Sequence, residues 1–279
     1  MKIAVIGSGT MGVGIVNVFA LHEKYEIIWC GTSIESVARG KASLEAVLSG
    51  RVQKRKLSEK QMTDALGRVT EGELRDCRES DLVIEAVSES VDVKHELFLQ
   101  LQEICRPDCV FASDTSSLSI TEISAGIRQP VVGMHFFNPA PAMKLVEVTP
   151  GLNTPESAIR LVMEVARDVG KTPIEVKENA GFLVNRMLIP LINEAIGLYA
   201  EGVASAADID TAMQLGANFP MGPLALGDMI GLDVCLAIME AIQSETGDVK
   251  YRPHPYLRKM VRGGHLGIKT GKGFFTYPE

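Results

Sequence analysis

Lys2-Ile3-Ala4-Val5-Ile6-Gly7-Ser8-Gly9-Thr10-Met11-Gly12 is a short apolar run that ends in a glycine-rich turn and opens at once into a helix-like stretch, Met11–Leu21. The spacing has a physical reading. Gly7 permits the tight turn, Gly9 lets the backbone approach a pyrophosphate, and Gly12 lets helix and strand pack closely. The helix N-terminus offers N–H groups and a partial positive charge to phosphates. A bare G-x-G-x-x-G is a weak signal, but between a strand and a helix it is a strong one. Gly7, Gly9, Thr10, Met11 and Gly12 are therefore candidate cofactor contacts, with Gly14 reserved for packing.

Outward from this loop, buried-strand patterns at Lys2–Ile6, Glu26–Cys30, Leu82–Ala86, Cys109–Ala112 and Val131–Phe136 alternate with helical patterns at Met11–Leu21, Ser33–Leu48, Val93–Ile104 and Ile120–Ile127. Apolar strands separated by helices indicate an α/β fold: a doubly wound, Rossmann-like, mostly parallel sheet with helices on both faces. Lys144–Val148 and Pro173–Val176, flanking a helical stretch at Pro155–Val169, extend that sheet. After Lys177-Glu178-Asn179-Ala180-Gly181 the strand signals stop. Helical patterns follow near Phe182–Gly202, Ser205–Leu215, Leu232–Gln243 and His254–Val261, the first interrupted by Pro190, which should kink it. The reading is a dinucleotide-binding domain over residues 1–180 and an all-helical C-terminal domain over 181–279.

The second strand lacks the acid that binds the adenosine ribose hydroxyls in NAD-preferring sites. Ile28-Trp29-Cys30 runs into Gly31-Thr32-Ser33. Thr32 and Ser33 could donate to a 2′-phosphate instead, while Arg39 lies about two helical turns further on. NAD(H) and NADP(H) both remain open as the cofactor.

The chain has 279 residues and a net charge of −7, which speaks against nucleic acid as a partner because phosphate neutralisation needs a basic face. Five cysteines, with no C-x-x-C pair, read as reduced thiols in a cytoplasmic protein rather than a disulfide framework. The N-terminus is a strand and turn, without the longer apolar region of a signal peptide. No apolar run reaches the length of a membrane span. No metal site is expected.

His135, in Gly133-Met134-His135-Phe136-Phe137-Asn138-Pro139, sits at the end of an apolar run, where open α/β sheets place their ligands. Glu147 lies in the apolar run Lys144–Val148, and a buried carboxylate needs a partner. His135 is the candidate.

The chain resembles the 3-hydroxyacyl-CoA dehydrogenase family, nearest to its short-chain members. The resemblance is carried by Gly7–Gly14, Ser113-Asp114-Thr115-Ser116-Ser117-Leu118, the Gly133–Pro139 segment and Met143–Val148. It continues through Gly181-Phe182-Leu183-Val184-Asn185-Arg186, Pro220-Met221-Gly222-Pro223 and Lys269-Thr270-Gly271-Lys272-Gly273-Phe274. It implies interconversion of an (S)-3-hydroxyacyl-CoA and a 3-oxoacyl-CoA by hydride exchange with a nicotinamide cofactor, in fatty-acid or butanoate metabolism. A homodimer or dimer-based oligomer is implied as well.

Residue by residue, the resemblance makes His135 the general base and Glu147 the carboxylate that orients it. Ser116 and Asn185 become the groups holding the substrate's reacting oxygens, and Ser116 and Asn138 also shape the cofactor side. Glu89 and Lys94 become contacts near the nicotinamide ribose, although an exposed ion pair is the plainer reading of those two. Thr32 and Lys269 complete the cofactor candidates. Lys54, within Arg51, Lys54, Arg55 and Lys56, is the candidate for the CoA phosphates, where a solvated helix end is the plainer reading. Asp114 stands where the family commonly has asparagine; an ionised aspartate there would favour the oxidised nicotinamide. A hydroxy-acid dehydrogenase acting without CoA and a non-catalytic dinucleotide-binding protein are the competing readings.

Overall fold

In the computed structural model, which describes residues 1–278, the opening run forms β1 (Lys2–Ile6) and passes through Gly9 into α1 (Thr10–Ala20). The chain then forms β2 (Glu26–Cys30), α2 (Ile34–Gln53), α3 (Glu59–Gly67), β3 (Val69–Glu71), β4 (Leu82–Glu85), α4 (Val91–Gln102), β5 (Val110–Ser113) and the single turn α5 (Ile120–Ile123). The unit closes with β6 (Val131–Phe136), β7 (Leu145–Pro150), α6 (Glu156–Asp168) and β8 (Thr172–Glu175).

The eight strands lie in the order β3-β2-β1-β4-β5-β6-β7-β8, so the winding reverses between β1 and β4. Such a reversal opens a crevice at the carboxyl ends of the strands, where ligands of doubly wound sheets bind. All pairs are parallel except β6–β7. The link between those two is residues 137–144, too short for the crossover of a dozen or more residues that a parallel pair requires.

Both faces of the sheet are covered, as the near-continuous apolar strands require. One face packs Ile3, Val5, Trp29, Val132 and Met134 against Ile15, Phe19 and Leu44 of α1 and α2, while the other packs Ala4, Ile6, Val83 and Phe111 against Phe98 and Leu101 of α4. In α6, Ala158, Val162, Val165 and Ala166 form the one buried stripe that this spacing produces on a helix.

The chain divides into this unit, Met1–Asn179, and a second that begins at Ala180. The second is helical: α7 (Val184–Ala200), which runs through Pro190 as one helix, α8 (Ala206–Gly216), α9 (Pro223–Ile230), α10 (Leu232–Thr246) and α11 (Pro255–Arg262). Its core gathers Ile192, Ile196, Leu224, Leu232, Met239 and Ile242. Two buried carboxylates organise it. Asp210 accepts the N–H groups of Leu224 and Ala225 at the start of α9, and Asp228 accepts those of Phe274 and Phe275 and the Tyr277 hydroxyl. Among the described residues no helix is long and apolar enough to cross a membrane.

Candidate active site

The glycine loop sits at the β1–β4 reversal. Gly7 has φ +126°, and a Cβ on it would lie 2.3 Å from the Ala86 carbonyl oxygen; one on Gly12 would lie 2.0 Å from the Gly7 oxygen. The loop is thus held tight from both sides. Gly9 differs, with nothing within 4 Å of where its Cβ would stand. It is also the N-cap of α1 and brings no capping side chain, whereas α2, α3, α5 and α8 are each capped by a serine hydroxyl. The start of α1 therefore keeps N–H groups for a ligand. A cleft of about 1080 Å³ opens beside it, lined by Gly7–Met11, Gly31, Thr32, Ala86–Ser88 and the first turns of α4. These residues fit a dinucleotide.

Trp29, which carries no sign of such a role in the sequence, donates its indole N–H to the Gly7 oxygen at 2.8 Å and steadies the loop from beneath. Thr32 is exposed at the cleft's edge.

His135 and Glu147 face each other directly across β6 and β7, in register. His135 Nδ1 donates to Glu147 Oε2 at 2.8 Å, and both residues are buried. Because a carboxylate only accepts, this bond places the Nδ1 proton and makes Nε2 the basic nitrogen of the neutral ring. The Phe137 ring packs 4.4 Å from the imidazole. Asn138 follows, exposed, and its bond to Pro139 is cis. Lys171, just before β8, donates from its buried ammonium to the carbonyls of Ala140 and Met143, the latter at 2.7 Å. It thereby clamps the turn that joins the two strands carrying His135 and Glu147. Desolvation lowers the Lys171 pKa from its ordinary value.

Between β4 and β5 lies a second buried network. Lys94 of α4 is fully buried, with Nζ 2.7 Å from Glu85 and 3.4 Å from Glu89. Glu85, a residue that sequence reasoning missed, also accepts the Ser113 hydroxyl at 2.6 Å and the Val87 N–H at 2.7 Å. Glu89 Oε1 accepts the Thr115 hydroxyl and both the N–H and hydroxyl of Ser116. The pair is thus only half exposed: Lys94 is buried and Glu89 lies at the surface, tying the loop bearing Ser116 to an internal cation.

Asp114 is buried beside this network, and its Oδ1 accepts the Phe136 N–H at 2.7 Å. Burial pushes its carboxyl well above the usual range; the Phe136 N–H and Lys94 pull it down, and Glu85 and Glu89 push it up. The ionised form of Asp114 is thus the disfavoured one, chiefly because the carboxyl is buried. The native state retains a proton that the unfolded chain releases at about pH 4, so stability falls as pH rises from there toward the native pKa. Asp114→Asn is accordingly expected to stabilise the protein by a margin that grows as pH rises above the unfolded value of about 4, read as the difference in Tm from wild type.

Lys54 is the C-cap of α2, exposed, next to Arg51 in the last turn and to Arg55, which has φ +54°. These cations sit where a helix end favours them. In the helical unit, Asn185 is the second residue of α7 and half-buried, and Lys269 forms an ion pair with Asp233 at 2.6 Å. Among the described residues no group of three or more His, Cys, Asp or Glu could hold a metal ion.

Comparison with known proteins follows the same two units. Residues 2–179 match the family model described as 3-hydroxyacyl-CoA dehydrogenase, NAD binding domain, and residues 181–277 match the model for the C-terminal domain of that enzyme. The chain is 48% identical over 280 residues to the 3-hydroxybutyryl-CoA dehydrogenase of Clostridioides difficile, covering 99% of both. It is 46% identical to the probable 3-hydroxybutyryl-CoA dehydrogenase of Bacillus subtilis (strain 168), covering 100% of this chain and 98% of that one. Among solved structures, (S)-3-hydroxybutyryl-CoA dehydrogenase from Ralstonia eutropha superposes with a TM-score of 0.95 at 41% identity, over 100% of this chain and 99% of that one. With both family models matched in order across nearly its full length, the chain belongs to the 3-hydroxyacyl-CoA dehydrogenase family.

Proposed function

We propose that the protein is a nicotinamide-dependent oxidoreductase that interconverts (S)-3-hydroxybutyryl-CoA and acetoacetyl-CoA. The observation that carries this is the buried His135–Glu147 pair, aligned on two strands of the same sheet whose β1–β4 reversal bears the dinucleotide cleft. A nicotinamide dinucleotide held along Gly7–Met11 would supply the hydride acceptor in oxidation and the hydride donor in reduction. His135 takes the 3-hydroxyl proton on Nε2, and the imidazolium so formed is stabilised by the Glu147 carboxylate and returns the proton to the alkoxide in the reverse direction. Ser116 and Asn185 hold the substrate oxygen, while Glu89, bonded to Ser116 and Lys94, sets the Ser116 loop. In this reading Asn138 and Lys269 are cofactor contacts, and Lys54 meets the CoA phosphates.

Initial rates with acetoacetyl-CoA, compared with free acetoacetate, test this reading. Turnover of the thioester alone supports it, and equal rates with the free acid would point to a hydroxy-acid dehydrogenase without CoA. Binding of cofactor with no turnover would point to the non-catalytic alternative.

Lys171→Met is expected to slow turnover about 10- to 100-fold at a temperature where the fold is intact, because small misplacement of catalytic groups is costly. Cofactor affinity should hold, and Lys171→Arg should recover part of the rate. Comparing kcat and cofactor Kd in the two variants checks this.

The active form is a homodimer or a larger assembly built on it. Met187, Val203 and Leu215 of the helical unit are 70%, 64% and 83% exposed, apolar side chains that a second copy can cover. Sedimentation at micromolar concentration tests it. The five cysteines are free thiols, in keeping with a cytoplasmic protein.

A further inference from the structure

We propose that Glu178 is a positioning residue of the reaction. Its role rests on that proposed for Ser116, the hydroxyl that holds the substrate oxygen: the Glu178 carboxylate fixes the far end of the loop on which that hydroxyl stands.

Ser116 lies in the connection 114–119 between β5 and α5. With no strand ladder or helix of its own, this stretch takes its place from the bonds made to it. Its start is tied to the sheet, where the Asp114 N–H donates to the Glu85 carbonyl at 2.8 Å and Asp114 Oδ1 accepts the Phe136 N–H. Its middle is tied by Glu89, through the Thr115 hydroxyl and the Ser116 N–H.

The far end belongs to Glu178. Its Oε1 accepts the Ser119 hydroxyl at 2.8 Å and the Thr121 N–H at 2.7 Å, and its Oε2 accepts the Thr121 hydroxyl. Thr121 is in the first turn of α5, where N–H groups have no partner within the helix. α5 is a single turn, Ile120–Ile123, and so short a helix does not hold itself. Ile120 and Ile123 are buried, but apolar contact is non-directional and leaves the setting of the turn to hydrogen bonds. The Thr121 hydroxyl also accepts the Leu152 N–H at 2.8 Å, and a Cβ on Gly151 would lie 3.0 Å from the Thr121 nitrogen. One carboxylate thus gathers the end of the Ser116 loop, the stretch after β7 and the segment after β8.

These bonds are tertiary: Ser119 and Thr121 are 59 and 57 residues from Glu178 in the chain. Glu178 itself is half-buried, past the end of β8 at Glu175 and just short of Asn179, where the dinucleotide unit ends. It therefore caps no strand of its own, and its donors lie directly beyond the Ser116 segment. Releasing them frees α5 to shift, and a displacement of about 1 Å at a positioned group costs up to about 10²-fold in rate.

A double-variant cycle, read in kcat for acetoacetyl-CoA on protein shown to be folded at the assay temperature, tests this. Glu178→Ala is expected to lower kcat about 10- to 100-fold and to leave cofactor Kd within about twofold. Glu178→Gln still accepts from Ser119 and from the Thr121 N–H, and should return to within about threefold of wild type. In a Ser116→Ala background, Glu178→Ala should cost less than about twofold more, because a residue acting through another is not additive with it. Should Glu178→Ala not fold, Thr121→Val runs through the same cycle, with a loss of about threefold that vanishes in the Ser116→Ala background. An unchanged kcat in Glu178→Ala, or the full loss again in the Ser116→Ala background, would overturn the proposal and leave the role of Ser116 standing. A wild-type kcat in Ser116→Ala alone would remove that role, and the proposal with it.

Discussion

His135→Ala is expected to lower turnover of acetoacetyl-CoA by about 10²–10⁴-fold, the range that a positioned general acid–base supplies. Cofactor Kd should stay near the wild-type value. The separation follows from the architecture: His135 sits on β6, whereas the loop that cradles the dinucleotide lies between β1 and α1, with β4 and β5 standing between β1 and β6 in the sheet. The variant also leaves Glu147 buried without its ring partner, so some loss of Tm should accompany the loss of rate. Steady-state kinetics on protein shown to be folded, paired with cofactor titration, check both halves. A fall in cofactor affinity as large as the fall in kcat would mean that His135 is structural.

The second large effect concerns stability. Lys94→Met should destabilise the protein by about 3–5 kcal/mol, because it leaves the Glu85 carboxylate charged, buried and without its cation. The Ser113 hydroxyl and Val87 N–H still reach Glu85, but they cannot replace the ammonium. Adding Glu85→Gln to Lys94→Met should recover much of the loss, since a neutral group there costs less to bury than an unpaired charge. Urea midpoints at constant m-value measure both steps. If the double variant were no more stable than Lys94→Met, the pair would not be the source of the effect.

Much of the fold is legible in the sequence because the strands are apolar throughout and glycine marks the first turn. The elements that escape are those whose signals are short or tertiary. β3 is three residues on a sheet edge, and α9 is an eight-residue helix whose cap comes from Asp210, on α8, rather than from its own N-cap. α3 did carry a local sign, the Ser58 and Gln61 capping box. At the site, His135 and Glu147 stand out as polar residues in apolar runs. Glu85, at the end of Leu82-Val83-Ile84, offered the same sign. Lys171 offered none, since nothing near it in sequence predicts that its ammonium will meet the carbonyls of Ala140 and Met143. The character of Asp114 was equally hidden: whether an aspartate is ionised depends on burial and on neighbours from β4, α4 and β6, which the fold alone brings together.

Single-turnover hydride transfer from bound reduced cofactor to acetoacetyl-CoA, in Glu147→Gln against wild type, bears most directly on the dyad. Glutamine can still accept the Nδ1 proton, so ring orientation survives and only the negative charge opposite the imidazolium is removed. A rate lowered about 10²-fold or more, with cofactor affinity unchanged, is the expected result. An unchanged rate would show that the carboxylate facing His135 has no part in the proton transfer.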